Sequence, residues 1–344
     1  MQRITIVGMG PIGTSLGLAL KQSKLEDIEI VGTSGDKKNL STASKMGAVD
    51  STTGNLRKAV TGAQVVIFDS PLHEMGELLE AVGPILENGA VVTDTGSSKI
   101  RVLDWARDSI PRTASFVAGH PLIRHTMDEV VDADPVVFRG IEYCIIPSQN
   151  AGENAVRTVV RLVEAIGSKT VFLDPHEHDS YVAAMNHLPM VMSTAFVNAT
   201  AGSSSWREMH RLAASDFSDF SRLASNDPAE NEVASLANPD ALVHWIDQLI
   251  TELYSYRNQI KEQNKELLDK FINAWEARAR WQAGAVVDHR PGLNTPKSSF
   301  SSLIMGERLA DRFAHLSPEN TKRVSWEYRG RRESTEDEED SNTT

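Results

Sequence analysis

Short runs of β-branched and apolar residues recur along the first half of the chain, separated by amphipathic stretches. The runs are Ile4-Thr5-Ile6-Val7, Ile28-Glu29-Ile30-Val31, Val65-Val66-Ile67-Phe68, Val91-Val92-Thr93, Tyr143-Cys144-Ile145-Ile146 and Thr170-Val171-Phe172-Leu173. Several are apolar almost throughout, as strands buried on both faces must be. Their alternation with helical patterns predicts a doubly wound, mostly parallel sheet over residues 1–173. From residue 174 the period lengthens to that of a helix. Leu242, Ile246, Leu249, Ile250, Leu253, Tyr256 and Ile260 form one apolar stripe, continued by Leu267, Leu268 and Phe271. An all-α domain over 174–283 is therefore expected, with the stripe serving as core or as the contact of a homodimer. Residues 284–344 read as a polar extension, with Pro291, Gly292, Pro296 and serines from Ser298 to Ser302. Leu303, Ile304, Leu309 and Phe313 make a short amphipathic pattern, and the acidic end from Glu333 to Asp340 is expected to be disordered.

Charge narrows the possible partners. The 344 residues carry 47 acids against 35 Lys and Arg, a formal net charge of -12. That balance argues against nucleic acid or an anionic membrane surface as the main partner. An anionic small molecule must then be met by a few placed cations. The single cysteine, Cys144, sits in an apolar run and reads as a small buried hydrophobe, so no internal disulfide is expected. The apolar run after Met1-Gln2-Arg3 is too short for a secretory signal, and no stretch approaches the roughly 20 apolar residues of a membrane span. A soluble cytoplasmic protein is expected.

The first run leads straight into Gly8-Met9-Gly10-Pro11-Ile12-Gly13, with the helical pattern Leu16, Ala19, Leu20 behind it. Between a strand and a helix, these glycines have a mechanical meaning. Gly8 makes the tight turn, Gly10 admits a pyrophosphate to the backbone, and Gly13 permits close packing of helix on sheet. This is the plan of a Rossmann-like dinucleotide fold, with Pro11 and Ile12 also at the phosphates. About 20 residues on, where an acid would take a ribose 2′-hydroxyl, the chain reads Thr33-Ser34-Gly35-Asp36-Lys37-Lys38. Thr33, Ser34, Lys37 and Lys38 suit a 2′-phosphate better than a free ribose, which favours NADP over NAD, with Asp36 as a rival for the ribose. Ser70 and Pro71, after Phe68-Asp69, are expected to shape the loop over the cofactor; Asp69 carries no chemistry in this reading.

In an open parallel sheet the carboxyl ends of the strands line the ligand crevice. Asp94-Thr95-Gly96-Ser97-Ser98-Lys99 ends one strand there, so Ser97 and Lys99 face the nicotinamide side, although Ser97 could equally cap the next helix. Gly119-His120-Pro121 follows the apolar pair Phe116-Val117. These segments, with His178-Asp179, His187-Leu188-Pro189 and Phe217-Ser218-Asp219-Phe220-Ser221-Arg222 running on to Asp227-Pro228, resemble the ordered signatures of the prephenate and arogenate dehydrogenase family, over residues 1 to about 260.

The resemblance implies oxidative decarboxylation of a cyclohexadienol, prephenate or arogenate, to 4-hydroxyphenylpyruvate or tyrosine, with NADP or NAD and no metal. His120 would be the base for the ring hydroxyl, Ser97 its partner, and Arg222 the carboxylate ligand, with Arg211 as the competing arginine. His187 and Lys99 would add polar contacts to substrate, and His178 and Asp179 would cap or orient the following helix. Four positions depart from the family pattern: Arg124 for a glycine, Thr126 for a glutamate, Met190 for a second histidine and Asn231 for a tryptophan. Arg124 and His125 would add charge near the cleft or face solvent. A β-hydroxyacid dehydrogenase would share the two-domain plan but show a catalytic lysine early in the second domain, and residues 178–190 have none. A dinucleotide sensor without turnover would have no need of a base.

Overall fold

The computed structural model describes residues 2–124, 127 and 129–283. Eight strands form one sheet: β1 (Gln2–Val7), β2 (Ile28–Thr33), β3 (Ser51–Thr52), β4 (Val65–Phe68), β5 (Val91–Asp94), β6 (Ser115–Pro121), β7 (Glu142–Pro147) and β8 (Lys169–Phe172). Their order is β3-β2-β1-β4-β5-β6-β7-β8, parallel as far as β6; β7 pairs antiparallel to β6, and β8 runs parallel to β7. The six apolar runs are all strands. Two strands lie outside those runs: the two-residue β3, too short and polar to show a pattern, and β6, whose polar end Gly119-His120-Pro121 hides the period.

Six helices cover the sheet: α1 (Pro11–Gln22), α2 (Lys37–Lys45), α3 (Leu56–Val60), α4 (Leu72–Val82), α5 (Ile100–Ser109) and α6 (Glu153–Ala165). Successive strand residues point to opposite faces. Accordingly Val65 and Ile67 pack into a core with Leu16, Leu20 and Val159, while Val66 and Phe68 join Met75, Leu79 and Val102 on the other side.

After β8 the chain is helical: α7 (Pro175–Val182), a π-turn (Ala183–His187), α8 (Leu188–Ala201), α9 (Trp206–Met209), α10 (Ser215–Ser221), α11 (Pro228–Ala237), α12 (Pro239–Lys261) and α13 (Leu267–Gln282). No described helix is long and apolar enough to cross a membrane. The stripe on α12 does not close over a core. Leu242 is buried, but Ile250, Leu253 and Ile260 are exposed, as are Leu268 and Phe271 of α13. The expected amphipathic pattern at Leu303, Ile304, Leu309 and Phe313 and the acidic end lie outside the described residues, as do His125 and Thr126.

Candidate active site

The loop from β1 to α1 is built as its glycines require. Gly8 has φ +100, and a Cβ there would lie 1.9 Å from the carbonyl oxygen of Asp69. Around Gly10 the nearest atom to such a Cβ is the Asp69 carboxylate at 3.6 Å, so the backbone there stays open to an approaching phosphate. These features fit a dinucleotide. Pro11 opens α1 where no amide donor is needed, leaving Ile12 and Gly13 as the first-turn donors. Gly13 donates its N–H to Asp69 Oδ2 at 2.6 Å, while Thr95 Oγ1 donates to Asp69 Oδ1 at 2.6 Å. Burial pushes the Asp69 carboxyl above the usual carboxylate range, against the lowering effect of the Thr95 and Gly13 hydrogen bonds.

At the adenosine end, Thr33 is buried and its carbonyl accepts from Gly8 N–H at 2.8 Å. Asp36 is the N-cap of α2, accepting from Lys38 N at 2.7 Å and Asn39 N at 3.2 Å. Both bonds go to Oδ1, so one oxygen of its carboxylate is committed to the cap. Half-buried Ser34 accepts from Asp36 N at 3.1 Å, and Lys37 and Lys38 are exposed without an ion pair among the described residues. Ser70 donates to the Val7 carbonyl at 3.3 Å, and Pro71 is the N-cap of α4. Both shape the crevice end of β4.

His120 stands at the end of β6 and is buried to 7% exposure. Ladder pairing between β5 and β6 stops at Val92 and Phe116, so something else must hold the divergent ends. Asp94 and Lys99 do. Asp94 Oδ1 accepts from Gly119 N–H at 3.1 Å, the Lys99 ammonium donates to the Gly119 carbonyl at 2.7 Å, and Lys99 pairs with Asp94 Oδ2. Both polar groups of the residue before His120 are thus clamped. A Cβ on Gly119 would meet Asp94 O at 2.7 Å and the Tyr143 ring at 2.8 Å, which is why the residue is glycine. Lys99 is fully buried in this clamp, so its expected contact with substrate is corrected: the ammonium is committed inside the protein.

His178 and Asp179 lie inside α7, which Asp174 caps, and the N-cap of α8 is His187, so the expected cap on the following helix is corrected. Asp179 reaches across to α5, accepting from Lys99 N at 2.8 Å and Ile100 N at 3.0 Å. Those two amides thus find their cap in the helical half, and Ser97 does not supply it. The Ser97 hydroxyl is half-buried in the loop before α5, with no hydrogen bond among the described residues. Asp179 Oδ1 also bonds His178 Nδ1 at 2.7 Å, and His178 Nε2 meets His120 Nδ1 at 2.9 Å.

The pattern of donors fixes the tautomers. Both Asp179 oxygens already accept backbone N–H groups, so His178 Nδ1 donates to the carboxylate. His178 Nε2 is then the acceptor for the N–H of His120 Nδ1, and His120 Nε2 is left with its lone pair. Burial pushes His120 well below the ordinary imidazole value, and the neighbouring Lys99, His178 and His187, each disfavouring a second positive charge there, add to the effect. The ring is therefore neutral at neutral pH.

A cavity of about 510 Å³ joins these parts, with Ile12 of the loop at one end and His120, His178, Arg124 and Asn186 around the rest. His187 ends the π-turn, is 5% exposed, and has no hydrogen-bond partner on either ring nitrogen among the described residues. Burial lowers it too, opposed by Asp179 and assisted by His178. Arg222 is exposed at the start of a 3-10 turn that is tied to α8 by Ala224 N–H donating to Ser193 Oγ at 3.0 Å. Arg211 is exposed as well, and neither arginine lines the cavity. Met190 is buried and Asn231 half-buried. Cys144, in the cavity wall, is pushed up to about 11 by burial, with Glu142 adding and Lys99 opposing. It stays a thiol.

Three residues of this centre escaped the sequence reading. Asp69 and Asp94 are acids at the crevice ends of otherwise apolar strands, and that contrast was the available signal. The role of His178 had none, because 58 residues separate it from His120.

Comparison with known proteins follows the same division. The nucleotide-binding domain model of prephenate dehydrogenase matches residues 16–172, and the prephenate dehydrogenase dimerization domain model matches 174–274. The chain is 28% identical to prephenate dehydrogenase of Bacillus subtilis over 271 residues, 78% of this chain and 73% of that one. It is 27% identical to cyclohexadienyl dehydrogenase of Zymomonas mobilis over 80% of this chain and 95% of that one. Among solved structures, Synechocystis arogenate dehydrogenase is 25% identical with a TM-score of 0.66, covering 81% of this chain and all of that one. The fold also matches A. aeolicus prephenate dehydrogenase, solved with hydroxyphenyl propionate and NAD+, at a TM-score of 0.74, 24% identity, and coverage of 81% and 98%. Matched in both halves, the chain belongs to the prephenate and arogenate dehydrogenase family, and is an oxidoreductase that uses NAD or NADP.

Proposed function

We propose that this enzyme oxidatively decarboxylates prephenate, arogenate or both, with NADP preferred over NAD and His120 Nε2 as the base. The observation that carries the reading is the buried Asp179–His178–His120 chain, which leaves a neutral imidazole lone pair on a cavity shared with the dinucleotide loop. A dinucleotide held by the Gly8–Gly13 loop would supply the hydride acceptor for ring C4. His120 takes the proton of the C4 hydroxyl as the carbonyl forms, and the hydrogen-bonded dyad behind it stabilises the imidazolium. Ser97 holds the same hydroxyl in line. Loss of the ring carboxylate as carbon dioxide then yields the aromatic product, and aromaticity makes the step irreversible.

Arg222, exposed and outside the cavity wall, is the arginine assigned to a substrate carboxylate, for which a guanidinium fork is suited. Buried and unpartnered, His187 is the second polar contact. The NADP preference rests on the cap role of Asp36, which ties one of its oxygens to the start of α2, and on Ser34, Lys37 and Lys38 beside it for a 2′-phosphate. The helical half pairs with a second copy. The single buried thiol suits a reducing cytoplasm.

Purified protein given prephenate or arogenate with NADP or NAD, followed by the absorbance of reduced nicotinamide, tests this. Turnover is expected with at least one substrate and faster at equal concentration with NADP. Silence with both substrates refutes the reaction, and a higher kcat/KM with NAD refutes the preference.

A further inference from the structure

The pyrophosphate end of the cofactor site contains an anion of the protein's own. Dinucleotides bind at the start of α1 because free amides and the helix dipole favour negative charge there. In this chain Pro11 has no amide to offer, and Gly13 N–H is already given to Asp69 Oδ2 at 2.6 Å. The same oxygen lies 3.6 Å from where a Cβ of Gly10 would be, beside the glycine that leaves room for a phosphate. No cation bonds Asp69 among the described residues; its partners are the Thr95 hydroxyl and the Gly13 amide. Half-buried, its charge is poorly screened by water.

We propose that Asp69 sets the affinity for the dinucleotide, by holding a carboxylate in the positive field at the start of α1 that the cofactor pyrophosphate must share. Its two hydrogen bonds order the loop before cofactor arrives, joining the glycine segment to Thr95, two residues from Ser97. Its charge opposes the pyrophosphate once cofactor is there. The enzyme thus gains a preformed loop and holds NAD or NADP less tightly than the loop alone would allow.

Asp69→Asn separates the two effects, because an amide can replace both bonds. Its oxygen accepts from Gly13 N–H and its NH₂ donates to Thr95 Oγ1, whose hydroxyl hydrogen can turn to the Phe68 carbonyl, 3.4 Å away. Dissociation constants for NADP, NAD, ADP-ribose and adenosine are measured by calorimetry on the full-length wild type and variant, without substrate. Asp69→Asn is expected to bind NADP, NAD and ADP-ribose about five- to tenfold more tightly and adenosine equally well. Asp69→Ser, smaller and also uncharged, should change in the same direction and serves if the Asn variant fails to fold. Unchanged or weaker binding of the three pyrophosphate ligands by a variant with wild-type thermal stability overturns the proposal, as does equal tightening of adenosine. The readout is binding alone, so it is independent of whether His120 is the base.

Discussion

His120 acquires its chemistry from the atom behind it. With Nδ1–H held by His178, proton acceptance is confined to Nε2, and rotation or tautomer exchange would break a buried hydrogen bond worth about 1–3 kcal/mol. His120→Asn should therefore lower kcat by roughly 10² to 10⁴, with the calorimetric affinity for NADP unchanged. His178→Phe keeps the base but frees its tautomer, and is expected to lower kcat about 10- to 100-fold with little change in substrate KM. The pH profile separates the two. Because burial lowers His120, its basic form persists through neutral pH, and wild-type kcat/KM should fall only below the ordinary imidazole value of 6.5. In His178→Phe the acid limb should move. A His178→Phe variant with wild-type kcat and an unmoved limb would reduce the dyad to packing.

At the scale of elements, the sequence was most legible where burial is two-sided. The strand runs are apolar because the β1–β7 interior has helices on both faces, and the glycine loop is readable because its backbone leaves few alternatives. Legibility failed where polar groups do structural work. Lys99 reads as a cation facing the crevice and touching substrate, yet it is sealed against Asp94 because β5 and β6 part after Val92 and Gly119 needs partners for both its N–H and its carbonyl. Nothing local encodes that, since the gap exists only after the strands have paired. The clamp gives a stability prediction. Lys99→Met leaves Asp94 buried with only the Gly96 and Gly119 amides, and loss of one partner from a buried ion pair costs about 3–5 kcal/mol. The calorimetric Tm should fall by about 6–20 °C, and Asp94→Asn combined with Lys99→Met should recover part of the loss. A Tm within a degree or two of wild type would mean that the clamp is dispensable.

On the whole-molecule scale the open question is what covers α12 and α13. One chain exposes Ile250, Leu253 and Tyr254 on α12, and Phe271, Ile272 and Trp275 on α13, with Leu253 and Phe271 each 55% and Trp275 65% accessible. Tyr256 packs on Phe271, ring centroids 5.6 Å apart, so the two helices already present their apolar residues together. Soluble monomers rarely leave contiguous apolar surface beyond a few hundred Å², whereas a stable homodimer needs at least about 1,200 Å² in total. The helical stripe visible in the sequence is thus too apolar for solvent and too little buried to be core, and the matched domain is described as a dimerization domain. A second copy of the same face satisfies both conditions with two-fold symmetry. Light scattering behind size exclusion at micromolar concentration should give twice the chain mass for the wild type. Leu253→Glu, which puts a charge into that face, should shift the species toward one chain and make Tm lower and less dependent on protein concentration. A wild-type protein that runs as a single chain under those conditions would require another cover for this face.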